Sequence, residues 1–107
     1  MSDQKLVLVL TTAGSEEEAR KIARTLVEHR LAACVNIVPH VQSVYRWKET
    51  VEEAVEWLLV IKSTAGAFAR VREAIAELHS YQLPECLCVG IEDGSTGYLN
   101  WIEESVG

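Results

Sequence analysis

Leu6 to Leu10 is an unbroken run of Leu and Val, bounded by Lys5 on one side and Thr11-Thr12 on the other. A run that short, between polar limits, predicts a strand buried on both faces. Ala13-Gly14-Ser15 turns the chain, and Ser15 is placed to cap a helix, with Glu18 three residues on completing a capping box. Glu16 and Glu17 suit the positive helix start. Ala19, Ile22, Ala23, Leu26 and Val27 recur at helical spacing and predict one inward face. His29 and Arg30 fall in the last turn, where positive charge is favoured.

Leu31 to Tyr45 is rich in Val and Ile and reads as a strand, with Pro39 inside it. Proline removes a ladder donor, so this strand is expected to be an edge or to bulge there. The polar segment Arg46 to Glu53 predicts the turn of a hairpin, and Ala54 to Ile61 the returning strand. Ser63 or Thr64 then caps a second helix with Phe68, Val71, Ala74, Ile75 and Leu78 on one face. Cys86 to Ile91 predicts a last main strand ended by Asp93-Gly94, and a short terminal helix uses Leu99 and Ile102.

The order is strand, helix, strand, strand, helix, strand and a short helix. It predicts an α+β, ferredoxin-like βαββαβ sandwich, one antiparallel sheet with both main helices on one face. No linker, low-complexity segment or short repeat interrupts the chain, so residues 1–107 are expected to form a single domain. With helices on one face, the apolar outward positions of the Leu6 to Leu10 and Leu58 to Ile61 strands are left uncovered. An uncovered apolar face and open strand edges predict a homo-oligomer.

Composition narrows the partners. With 49% hydrophobic residues in 107, a core needs no metal or disulfide staple. The net charge of −6 argues against nucleic acid and anionic membranes, which require clustered Lys and Arg, and permits attraction of cations. Three cysteines, Cys34, Cys86 and Cys88, lack disulfide-scaffold spacing and point to a reducing compartment. The apolar run near the N-terminus is too short for a signal-peptide core or a membrane span, so the expected location is cytoplasmic.

Candidate chemistry concentrates in His79-Ser80-Tyr81-Gln82-Leu83-Pro84-Glu85, between the second helix and the last strand. An imidazole, a phenol, an amide and a carboxylate on a loop held by rigid neighbours mark a place where binding chemistry sits. His79 is a candidate metal ligand or, alternatively, a helix C-cap. Glu85, presented behind stiff Pro84, is a candidate cation contact or an interface acceptor. Tyr81 reads as a packed interface aromatic. Cys86 and Cys88 share a strand face, but without further ligands they read as inert thiols. Glu49, Glu52, Glu53 and Glu56 read as a solvated charged turn, with Trp47 and Trp57 pairing across the hairpin or meeting a neighbouring subunit. No nucleophile–base–orienter set is apparent, so an enzyme is not expected, and no Gly-rich phosphate loop favours a nucleotide.

Several segments, in order and at matching spacing, resemble the CutA divalent-cation-tolerance family. They are Thr12-Ala13, Leu31-Ala32-Ala33-Cys34-Val35-Asn36-Ile37, Tyr45-Arg46-Trp47, Ile61-Lys62-Ser63-Thr64, His79 to Glu85, and Tyr98-Leu99-Asn100-Trp101. The resemblance implies a ferredoxin-like subunit in a tight homotrimer, associated with copper and other divalent cations and carrying no established reaction. It implies no organic cofactor. Of the metal ligands proposed in the family, Glu85 matches the Pro-Glu glutamate and His79 the second of two adjacent histidines. The first of that pair is Leu78 here, and a cysteine found in some members at the end of the first strand is Thr11. The family's trimeric layout resembles the PII signalling proteins, which implies a second reading: a sensor binding a small molecule in clefts between subunits, near Thr12, His79 and Glu85.

Overall fold

In the computed structural model, which describes residues 4–107, the Leu-Val run forms β1 (Leu6–Ala13). The chain continues through α1 (Glu16–Glu28), β2 (Cys34–Trp47), β3 (Thr50–Thr64), a one-turn 3₁₀ helix (Ala65–Ala67), α2 (Phe68–Leu78), β4 (Leu87–Gly90) and α3 (Thr96–Ser105). The four strands form one antiparallel sheet in the order β2-β3-β1-β4. This is the ferredoxin-like arrangement read from the element order.

Strand alternation divides β1 between two environments. Val7, Val9, Thr11 and Ala13 lie on one face, where Val7, Val9, Leu59 and Ile61 pack with Ile22 and Leu26 of α1 and Val71 and Ile75 of α2. Each such side chain contributes about 1.5–3 kcal/mol on burial. Leu8 and Leu10 face the other way, with Leu58 and Val60 of β3 and Leu87 and Val89 of β4 beside them. Leu87 and Val89 remain 55% and 46% exposed, so this second face is open over much of its area. Its far end is covered by α3, whose Ile102 packs with Leu6 and Ala33 in a second cluster.

Capping differs in instructive ways from the local reading. Ser15 accepts from the Glu18 amide at 3.1 Å as expected, but the Glu18 carboxylate reaches Ser80 across the fold. α1 stops at Glu28, one residue short of His29, and Arg30 takes a left-handed φ of 58°. The amides of Leu31 and Arg30 then bond to the carbonyls of Leu26 and Val27, a Schellman closure with arginine where glycine is usual. The Arg30 guanidinium leaves the helix end and donates to the Glu104 carbonyl, tethering α3. Thr64, not Ser63, caps the second helical segment, accepting from the Ala67 amide.

The hairpin is longer than its polar pattern implied. Strand pairing runs through the expected turn as far as Trp47–Thr50, leaving only Lys48 and Glu49 at the tip. Both have positive φ, 49° and 70°, the two-residue turn whose twist matches the flanking strands. The arm extends beyond the helices and makes the molecule 49 Å long against 25 and 22 Å in the other directions. β2 is an edge strand, and pairing is interrupted between Val38 and Val41, where Pro39 occurs and His40 has φ 58°. The last strand is shorter than read, Leu87–Gly90, with Cys86 outside it, while the Ile91 amide still donates to the Leu6 carbonyl at 2.9 Å.

Thr11 is fully buried and its hydroxyl has no partner. A hydroxyl carried into a core unpaired forfeits its hydration. Thr11→Val, which preserves the branched shape, is expected to stabilise the fold by about 1–2 kcal/mol. A higher urea midpoint with an unchanged slope is the signature, and a lower midpoint would refute it.

Candidate functional site

Between the outer half of the hairpin and the loop after α2 lies a cleft of about 370 Å³. Thr12 of β1 and Glu56 of β3 form its floor, Tyr45 and Trp47 line it from β2, and Tyr81, Gln82, Leu83 and Glu85 line it from the loop. Thr12, Glu56, Tyr45 and Trp47 all project from the sheet face that α1 and α2 leave free, as the strand pairing requires.

His79 fixes the start of the loop. It is buried, and its Nε2 lies 2.6 Å from the Thr12 carbonyl while Nδ1 accepts from the Tyr81 amide at 3.1 Å. A carbonyl only accepts and an amide N–H only donates, so the ring is the tautomer with hydrogen on Nε2. Glu18 holds the next residue, accepting from both the Ser80 amide and its hydroxyl. His79 is also the C-cap of α2, its amide donating to the Ile75 carbonyl at 2.9 Å, while its ring adds a strand-to-loop clasp on Thr12.

Tyr81 is placed by three contacts. Its ring lies 4.5 Å from the His79 ring, it covers Gly14, and its hydroxyl donates to Glu56 at 2.7 Å. A Cβ on Gly14 would stand 2.9 Å from that hydroxyl, so the glycine is what lets the phenol reach across. Burial, then the hydrogen bond to Glu56 and its charge, pushes the phenol well above its ordinary range. The proton therefore stays on Tyr81, between phenol and carboxylate.

The two sequence-derived metal candidates do not meet in the cleft. Glu85 is exposed and lines it, whereas His79 sits behind the loop with both ring nitrogens engaged. Among the described residues, no group of three His, Cys, Asp or Glu side chains is gathered closely enough to hold a metal ion. Thr11 projects under the helices, away from the cleft. The cysteines form no disulfide, and burial pushes the Cys86 thiol up against the opposing pull of Arg72. A thiol so shifted is a poorer soft-metal ligand.

Glu56 is the residue that a reading of the hairpin as a solvated turn misses. Glu49, Glu52 and Glu53 are exposed as expected, but Glu56 is only 7% exposed. The available signal was its alternation with Leu58 and Val60, which puts the carboxylate on an apolar strand face. Trp47 and Trp57 do not pair across the hairpin: Trp47 opposes Thr50 near the tip, and Trp57 meets His40 edge-on at 5.6 Å.

Comparison with known proteins places this geometry in context. A family model described as CutA1 divalent ion tolerance protein matches residues 7–105. The divalent-cation tolerance protein CutA of Thermus thermophilus is 49% identical over 100 residues, spanning 94% of this chain and 97% of that protein. A CutA homologue from Danio rerio is 40% identical over 92% of this chain, which spans 66% of the fish protein. The solved T. thermophilus structure superposes with a TM-score of 0.93 at 48% identity, covering 95% of this chain and 99% of that one. The Archaeoglobus fulgidus structure, described as a periplasmic divalent cation tolerance protein, has a TM-score of 0.92 at 39% identity, with 95% and 99% coverage.

Proposed function

This chain belongs to the CutA1 divalent ion tolerance family, and from that premise we propose that it is a homotrimeric, non-enzymatic binding protein for copper and other divalent metal ions, working in the cytoplasm. The observation that carries the metal reading is the cleft's pair of carboxylates, Glu85 at the mouth and Glu56 at the floor. Two carboxylates suit a partly hydrated ion, since full dehydration needs a larger oxygen or nitrogen set. Glu85 makes the direct contact. His79 positions the loop that carries it, because each of its nitrogens is already committed.

The trimer is supported by the open apolar face around Leu87 and Val89 and by the protruding hairpin, both of which offer surface to neighbouring copies. The non-enzymatic reading is supported by the state of the loop's acid–base groups: His79 is tied into the backbone and the Tyr81 proton is held by Glu56. Three thiols without a disulfide are consistent with a reducing compartment. No helix among the described residues is long and apolar enough to cross a membrane.

Calorimetric titration with Cu(II) and Zn(II) tests the metal site. Glu85→Ala is expected to weaken Cu(II) binding about tenfold, the loss of one charged ligand, while His79→Gln changes it less. Equal binding by the parent and Glu85→Ala proteins would move the site elsewhere.

A second reading, a PII-like sensor for a small molecule in clefts between subunits, is favoured by one observation. Most of the cleft's wall is aromatic or apolar side chain, Tyr45, Trp47, Tyr81 and Leu83, which supply surface and no metal ligand.

A further inference from the structure

We propose that Cys86 and Cys88 form a two-coordinate site for a soft monovalent cation, Cu(I) or Ag(I), on the helix-bearing face of the sheet. The site is separate from the carboxylate cleft and stands whether or not that cleft binds a metal.

Two observations bring the thiols together. Cys88 pairs with Val9, whose side chain is in the core under α1 and α2, and Cys86 packs against that same core. Alternate residues of an extended chain share a face, with Cα atoms about 6.6 Å apart. The two side chains therefore stand side by side, close enough for the charge of Cys88 to act on Cys86. Leu87, between them, faces the other way with Leu10. The apolar surface offered to neighbouring copies thus lies across the strand from the thiols.

The number of donors selects the ion. Among the described residues, no group of three His, Cys, Asp or Glu side chains could hold a metal. Zinc takes four ligands in a tetrahedron, and calcium or magnesium six or more, mostly oxygens. Thiolates select soft ions, and Cu(I) and Ag(I) are stable between two donors in a line. Two bonds of about 2.3 Å, the length zinc makes to sulfur, span about 4.6 Å end to end. Sulfurs on side chains about 6.6 Å apart reach that span by leaning towards each other. A disulfide is harder from the same positions, since it needs Cβ atoms about 3.8 Å apart. The pair is spaced to hold an ion rather than to close on itself.

Arg72 supplies the charge balance. Two thiolates around a monovalent cation leave one net negative charge. The Arg72 guanidinium, 5.4 Å from the Phe68 ring centroid on α2, is near enough to pull the Cys86 thiol down. Burial acts more strongly in the other direction, so Cys86 by itself keeps its proton and is a poor ligand. A soft ion gripped by both sulfurs at once displaces that proton.

Cu(I), kept reduced with ascorbate under argon, is titrated into the full chain in competition with bicinchoninate, a chelator that single thiols do not outcompete. The parent is expected to take one Cu(I) per chain. Cys34→Ser is expected to do the same, because Cys34 pairs with Lys62 on the other face of the sheet. Cys88→Ser, a change at an exposed position, is expected to lower Cu(I) affinity at least about a hundredfold with an unchanged far-ultraviolet circular dichroism spectrum. Failure of the parent to draw Cu(I) from the chelator overturns the site. So does an affinity unmoved by Cys88→Ser, or one that Cys34→Ser lowers as much. One ion per two chains would put the two thiolates on different copies and overturn their pairing within one strand.

Discussion

His79→Phe is expected to destabilise the fold by about 2–4 kcal/mol, although the ring it substitutes is similar in size. The cause is not lost packing. The imidazole satisfies the Thr12 carbonyl with one nitrogen and the Tyr81 amide with the other, inside a buried setting. A phenyl ring keeps the shape and orphans both groups, each at about 1–3 kcal/mol. Urea unfolding should show a lower midpoint, and hydrogen exchange at the Tyr81 amide should accelerate selectively. The loop that carries Tyr81 and Glu85 hangs from this clasp, so the Tyr81–Glu56 bond should loosen with it. A loss below about 0.5 kcal/mol, the size of an ordinary surface change, would show that water or a rearranged loop replaces the imidazole.

The second large effect belongs to the open face. Leu87→Asp puts a charge at the centre of the surface on which the trimer is proposed to close. Leu87 pairs with Leu10 and is 55% exposed in the single chain, so the subunit itself should tolerate the change. Assembly should not, because burying an unpaired carboxylate is far costlier than burying leucine. The association constant is expected to fall at least about a hundredfold, close to 3 kcal/mol. Sedimentation should then report a monomer at concentrations where the parent is trimeric. A parent that sediments as a monomer removes the trimer; a trimeric Leu87→Asp protein moves its interface to another face.

The order of elements was legible because each has a local cause that tertiary contacts did not override. The Leu-Val run of β1, the Ser15 cap and the apolar stripes of α1 and α2 all behave as their spacing requires. Pro39 correctly marks an edge strand and its irregularity. The misreadings share another origin, competition from partners remote in sequence. Glu18 abandons its capping-box role for Ser80, 62 positions away. Arg30 leaves the helix end for Glu104. The outer hairpin has solvent on both sides, so its alternation carries no hydrophobic contrast, and its Lys48-Glu49 turn lacks the usual Asn-Gly signal. His79 and Glu85 are close in sequence but face different surroundings, one buried behind the loop and one at the cleft.

The irregularity at Pro39-His40 has a consequence for the cleft that lies several residues away. Three steps on β2, from Val38 to Val41, oppose two on β3, from Leu58 to Glu56. One uncompensated residue inverts the parity of a strand, because side chains alternate with a period of two. Up to Val38 the even-numbered residues of β2 share the face of Leu58; beyond Val41 the odd-numbered ones do. Tyr45 and Trp47 therefore share the sheet face of Glu56 only because the count is odd there. With a straight ladder, Val44 and Arg46 would take their places, setting a guanidinium and an aliphatic chain where two rings now stand. The aromatic wall is thus specified by a number as much as by residue identity, and its controlling element touches none of the groups it arranges.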